Sequence, residues 1–207
     1  MEFLVKTTIA VAFLLSFQAT KAQQDFNTVM TAFEKSYTYE KENDFNQAIA
    51  ELKKVYSDDS YEISLRLGWL NYLQGNFTES AAHYRHAVEL KPYSEEARMG
   101  LVLPLSASGK WDEVVDLYNK ILENNPKNTK VNYRLGLIYY NRKQFEKAFP
   151  YFKTVVDLYP FDYDGLLMLA WTHFSLGQTR EAKVLFQKCL LFKPGDPSAS
   201  DGLSRIP

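Results

Sequence analysis

The segment NTKVNYRLGLIYYNRKQFEKAFPYFKTVVDLYP, residues 128–160, carries apolar side chains every three or four positions on both sides of a polar break, NRKQ. That period describes one face of an α-helix, so the segment predicts two helices joined by a tight turn. Lys143 stands in the break, and Pro160 closes the second helix because a proline ring cannot extend one.

The same plan recurs along the chain. Pro92, Pro126, Pro160 and Pro194 follow one another at intervals of 34 residues. A leucine stands 25 residues before each proline: Leu67, Leu101, Leu135 and Leu169. The next position holds Gly68, Val102, Gly136 and Ala170. Eight residues before each proline the side chain is a ring: Tyr84, Tyr118, Phe152 and Phe186. Ser80, Val114, Ala148 and Ala182 keep a column of their own, and Gly75, Gly109 and Gly177 occupy the break in the other three units. Glycine there permits the left-handed backbone that ends a helix tightly. An internal repeat of this length means helical hairpins that stack, since one hairpin cannot bury its own apolar face. Gly136 costs about 1 kcal/mol of helix propensity relative to alanine, and we read it as a place where two helix backbones approach closely. Pro104, inside a first helix, removes a hydrogen bond at a typical cost of about 3 kcal/mol. We read it, and Pro150 early in a second helix, as tolerated kinks; the alternative is that Pro104 and Gly100 set local curvature.

These columns resemble those of tetratricopeptide repeats. Residues 129–162 hold Leu135-Gly136, Tyr139, Ala148, Phe152 and Pro160 in the register of that family, with Asn132 in place of its tryptophan. The resemblance covers residues 61–94, 95–128, 129–162 and 163–196. It extends more weakly to 27–60, where Phe45 and Ala48 repeat the Phe145/Ala148 pairing but Lys35 and Ser60 replace the leucine and the proline. Residues 197–207 resemble the start of a further hairpin, serving as a C-terminal cap. The resemblance implies an all-α protein: an α-solenoid of about five stacked hairpins wound into a right-handed superhelical crescent.

Composition narrows the function classes. The chain has 207 residues, 46% hydrophobic and 24% charged, which suits a globular protein with a sizeable core. With a net charge of -1 and no strongly basic stretch, it lacks the cationic surface a nucleic-acid binder needs. Residues 1–22 read as a signal peptide: Lys6 near the start, the apolar run TTIAVAFLLSF, then Thr20-Lys21-Ala22 before a cleavage expected ahead of Gln23. The expected location is therefore periplasmic or extracellular, the alternative being a membrane anchor formed by an uncleaved N-terminal segment. No later segment is apolar enough to span a bilayer. The single cysteine, Cys189, excludes an intramolecular disulfide and sits among apolar residues as a small core side chain.

In the resembled family the first helix of each hairpin lines a concave groove. Carried over by column, the groove is expected to present Leu65, Met99, Tyr133 and Leu167; then Trp69, Leu103, Leu137 and Trp171; then Tyr72, Ser106, Tyr140 and Phe174. Nearly all are apolar or aromatic, and an apolar wall of this kind marks a contact surface. The expected partner is another protein or peptide segment, anchored by Trp69, Tyr72, Tyr133, Tyr140, Trp171 and Phe174. Lys130 and Arg134 match the later half of a carboxylate clamp known in one subtype of the family. Its earlier half is missing, with Leu65, Trp69 and Gly100 in those places, so carboxylate capture is not expected; the pair reads as solvated charges, the alternative being polar orienters for an acidic group on a ligand.

Catalysis finds no support. His83 and His86 are three residues apart on a second helix, but no third metal ligand stands near and their face is expected to meet solvent. His173 reads as inter-helix packing. No phosphate-cradling glycine loop occurs, and no Ser/His/Asp set can be nominated. No cofactor is implied. Asn76-Phe77-Thr78 satisfies the glycosylation sequon. The reading is a non-enzymatic interaction scaffold of the cell envelope. The alternatives are a self-assembling homo-oligomer and a glycan-handling module of a polysaccharide secretion system, in which aromatic platforms would stack on sugars.

Overall fold

The structure is a computed structural model that describes residues 26–206. The signal peptide expected over residues 1–22 lies outside the described residues, as does Pro207. All regular structure among the described residues is helical, as the repeat pattern predicts. Helix α1 covers residues 26–41. It is followed by α2 (Phe45–Lys53), α3 (Tyr61–Leu73), α4 (Phe77–Leu90), α5 (Glu95–Ala107) and α6 (Trp111–Asn124). The remainder are α7 (Thr129–Asn141), α8 (Phe145–Leu158), α9 (Tyr163–Ser175), α10 (Thr179–Phe192) and α11 (Pro197–Ser204). None of the described helices is long and apolar enough to cross a membrane.

Each boundary has a local cause. The first helices of the hairpins begin at side-chain caps. Ser60, Ser94, Asn128, Asp162 and Asp196 accept from the backbone N–H three residues on, at 3.3, 3.0, 3.1, 2.7 and 2.9 Å. Such a cap contributes typically about 1 kcal/mol. The second helices α4, α6, α8 and α10 begin without one. They start instead from a left-handed residue: Gly75, Gly109 and Gly177 have φ of 85°, 72° and 75°, and Lys143 takes the same conformation at 57°. Asn43, at 59°, makes the equivalent turn between α1 and α2. Pro104 and Pro150 lie inside α5 and α8, which run through them.

The chain forms two compact units that divide at Gly109. In the first, α3 packs on α2 around Ile49, Leu52, Ile63, Leu67 and Leu70, and on α4 and α5 around Tyr61, Ala87 and Ala97. The Tyr84 ring fills the space between Gly68 of α3 and Gly100 of α5, where a methyl group at either position would overlap it. In the second unit, α7 to α11 pack in succession over Ala148, Phe152 and Leu169, then over Leu166, Ala170, Ala182, Phe186 and Cys189. Within each unit, consecutive hairpins stack in the manner of an α-solenoid.

Gly136 corrects one sequence expectation. What a Cβ at this position would meet, at 2.6 to 2.8 Å, is the Phe152 ring, so the glycine makes room for a side chain rather than for a second backbone. Asn132, in the place of the family's tryptophan, donates to the carbonyls of Pro126 and Asn128, both at 2.9 Å. Arg98, one repeat earlier in the same column, donates to the Pro92 carbonyl at 2.5 Å. These two polar residues thus tie each first helix back to the proline turn that precedes it.

Candidate functional site

A hollow of about 570 Å³ opens in the first unit, within the roughly 300–1,000 Å³ range of ligand pockets. Phe33 and Tyr37 of α1, Tyr61, Glu62, Leu65, Arg66 and Trp69 of α3, and Glu96 and Gly100 of α5 surround it, with Tyr84 at its floor. The Tyr84 ring is seated between Gly68 and Gly100, and a side chain at either position would displace it.

A polar network fixes the wall between α1 and α3. The Arg66 guanidinium is nearly buried and pairs with the Glu40 carboxylate at 2.6 Å. It also donates from Nε to Ser36 Oγ at 3.1 Å and lies 3.9 Å from the centre of the Tyr37 ring. Trp69 Nε1 donates to Glu40 Oε1 at 2.7 Å. Burial pushes the Glu40 carboxyl up, but the Trp69 N–H and the Arg66 hydrogen bond and charge outweigh it and hold the group below its ordinary value. Across the hollow, burial raises the Tyr61 hydroxyl, which bonds Ser94 Oγ at 2.6 Å and reaches Glu96 at 3.3 Å.

Of the groove residues expected from the sequence, Leu65 and Trp69 line this hollow. Tyr72 lies half-buried between Trp69 and Phe77, at ring distances of 5.9 and 5.8 Å, and Met99 and Leu103 are half-buried on α5. Phe33, Tyr37, Arg66, Glu62 and Glu96 were not nominated. Glu62 and Glu96 are 34 residues apart, so the repeat spacing carried a signal for them. Nothing in the sequence marked Arg66 or Tyr37, whose partners lie on a helix outside the regular repeats.

In the second unit the remaining candidates are engaged by their own neighbours. Tyr133 meets Phe152 edge-on at 5.8 Å, and Leu137 packs against the same cluster. Tyr140 meets Phe145 at 5.1 Å, with its hydroxyl 3.5 Å from Ser175 Oγ. Leu167, Trp171 and Phe174 pack against the cluster around Phe186, and Leu203 and Ile206 reach the same cluster from beyond. Trp171 donates its indole N–H to Ser198 Oγ at 3.0 Å, with the Phe186 ring 4.9 Å away. Lys130 is exposed. Burial pushes the Tyr118 hydroxyl up, and the charge and hydrogen bond of Arg134 beside it partly offset that push.

The histidine pair is also placed differently from the sequence expectation. His83 is half-buried with Tyr56 edge-on at 6.2 Å, and burial lowers its pKa. His86 Nε2 meets the Asp58 carbonyl at 2.6 Å. Among the described residues no group of three or more His, Cys, Asp or Glu is placed to hold a metal ion.

Three profiles described as tetratricopeptide repeat match residues 33–95, 117–149 and 163–196. A crystal structure of a tetratricopeptide repeat protein from Parabacteroides merdae superposes with a TM-score of 0.74 at 19% identity, covering 87% of this chain and 72% of that one. MamA (AMB-1) superposes with a TM-score of 0.68 at 25% identity, covering 88% and 99%. Among curated proteins, the mouse (Mus musculus) BBSome complex member BBS4 is 26% identical over 122 residues. That match takes in 59% of this chain and only 23% of the mouse protein, so the chain spans about a quarter of that relative.

Proposed function

Because the chain belongs to the tetratricopeptide repeat family, we propose that it is a non-enzymatic scaffold that binds a segment of another protein in the hollow between α1, α3 and α5. Tetratricopeptide repeats serve in general as protein-interaction modules, and the chain has the architecture of one. The single observation that carries the location is the hollow of about 570 Å³, walled by Phe33, Tyr37, Leu65 and Trp69. Aromatic side chains bury much area while freezing few rotors, which makes them effective anchors. Tyr37 and Trp69 are already held by Arg66 and Glu40, so a ligand meets a wall whose ordering cost is paid. The likeness to a complex member over 122 residues supports a place in a multi-protein assembly. Residues 1–22 support export and a site of action at the cell envelope.

The test is site-specific photocrosslinking in native cells, with the crosslinker at Leu65 and at the exposed Lys130 as control. One partner captured in stoichiometric yield from Leu65, and absent from Lys130, is the expected result. Equal capture at both positions, or none at Leu65, overturns the reading. Export is tested by sequencing the mature N-terminus, expected at Gln23, and by fractionating the envelope.

A further inference from the structure

We infer that the segment docking in the N-terminal hollow carries a lysine or arginine beside its apolar anchor. This rests on the docking reading above and adds the chemistry of the partner. Glu62 and Glu96 stand one repeat apart on the first turns of α3 and α5, at the edge of the hollow. Neither is paired with the one cation among the residues that line the hollow. Arg66, the cation that lines the hollow, is committed to Glu40 at 2.6 Å and to Ser36. Glu96 is met by the Tyr61 hydroxyl at 3.3 Å, a neutral donor. Glu62 has Lys91 at 3.4 Å, an exposed pair that a competing cation can replace because such pairs contribute little.

The rings around the carboxylates already accept cations. Arg66 lies over Tyr37 at 3.9 Å and Lys91 over Tyr61 at 4.0 Å, so a cation that replaces the exposed Lys91 beside Glu62 also takes its place over the Tyr61 ring. A lysine or arginine entering the hollow would find two carboxylates and an apolar surface at Leu65 for its methylene stem. An acidic segment would be desolvated against like charge. The wider field has the same sign: residues 26–109 hold 12 acidic and 8 basic side chains, a net charge of -4. That field favours approach of a basic segment at low salt.

The experiment presents the mature protein, from Gln23 onward, to an array of random dodecapeptides containing all the standard residues. It is repeated with Glu62→Gln/Glu96→Gln and with Leu65→Asp, each checked for folding by circular dichroism. The expected binders carry Lys or Arg within a few positions of Trp, Tyr, Phe or Leu. Their affinity falls about tenfold in the double glutamine variant and is lost in Leu65→Asp. Binders that are neutral or acidic, and that ignore the glutamine variant yet vanish in Leu65→Asp, overturn the cationic requirement and leave the docking site standing. Binders that ignore Leu65→Asp, or no binders at all, overturn both.

Discussion

Trp69 donates its indole N–H to the Glu40 carboxylate, which also pairs with the Arg66 guanidinium, so one acid on α1 meets two polar groups of α3. Glu40→Gln keeps an acceptor for Trp69 but leaves a nearly buried guanidinium without its counter-charge. Uncompensated buried charge is costly, and the partial exposure of Glu40 reduces that cost to about 2 kcal/mol. The effect depends on pH with a definite sign. The Glu40 carboxyl is held below its ordinary value, so its contribution is present above about pH 4 and is lost as pH falls through the folded-state pKa. Urea unfolding of wild type and Glu40→Gln is therefore expected to differ at pH 7 and to converge towards pH 3.

Gly136 and Phe152 provide a test of why the small-residue column exists. Alanine at 136 gains about 1 kcal/mol of helix propensity, yet its Cβ would stand 2.6 Å from a fully buried ring. Overpacking of this kind costs about 1–3 kcal/mol, so Gly136→Ala is expected to destabilise the protein by about 1 kcal/mol net. In a Phe152→Leu background the overlap disappears and the same substitution becomes neutral or stabilising. A double-mutant cycle by chemical denaturation measures the coupling; additive effects would show that the ring is not what excludes the methyl.

Lys143 occupies a conformation that its three counterparts leave to glycine, with φ of 57°. A left-handed backbone costs a side-chain-bearing residue about 1–2 kcal/mol, partly offset by the larger entropy glycine loses on folding. Lys143→Gly is expected to stabilise the protein by about 0.5–1 kcal/mol, and Gly177→Ala to destabilise it by a similar amount. Opposite shifts in Tm for the two variants are the signature.

The hairpins were legible because Pro92, Pro126, Pro160 and Pro194 tie each column to a fixed place in a repeated unit. The same arithmetic could not find the site. It assigns Trp69 and Trp171 equivalent positions, whereas burial is decided by whatever element lies next to each. Trp69 borders a hollow and donates to Glu40 on α1, while Trp171 is bonded to Ser198 on the terminal helix. Arg66 and Tyr37 were invisible for a related reason: their pairing runs from a regular repeat to α1, whose sequence departs from the repeat. The caps Ser60, Ser94, Asn128, Asp162 and Asp196 were present in the sequence as a column and needed only to be read as acceptors.

Trp171 is the residue at which column position and surroundings part most clearly, and its truncation separates them. Its ring packs on Phe186 at 4.9 Å, its N–H is spent on Ser198, and Arg205 lies 5.6 Å from its centre. α11 is a helix of 8 residues, too short to persist without such contacts. Trp171→Ala should therefore destabilise the second unit by about 2–3 kcal/mol, below the usual cost of emptying a fully buried aromatic site because the ring is only half-buried. Hydrogen exchange is expected to show residues 197–204 losing protection, while crosslinking from Leu65 still captures the partner. Intact protection with lost capture would instead make Trp171 a ligand anchor and move the binding surface into the second unit.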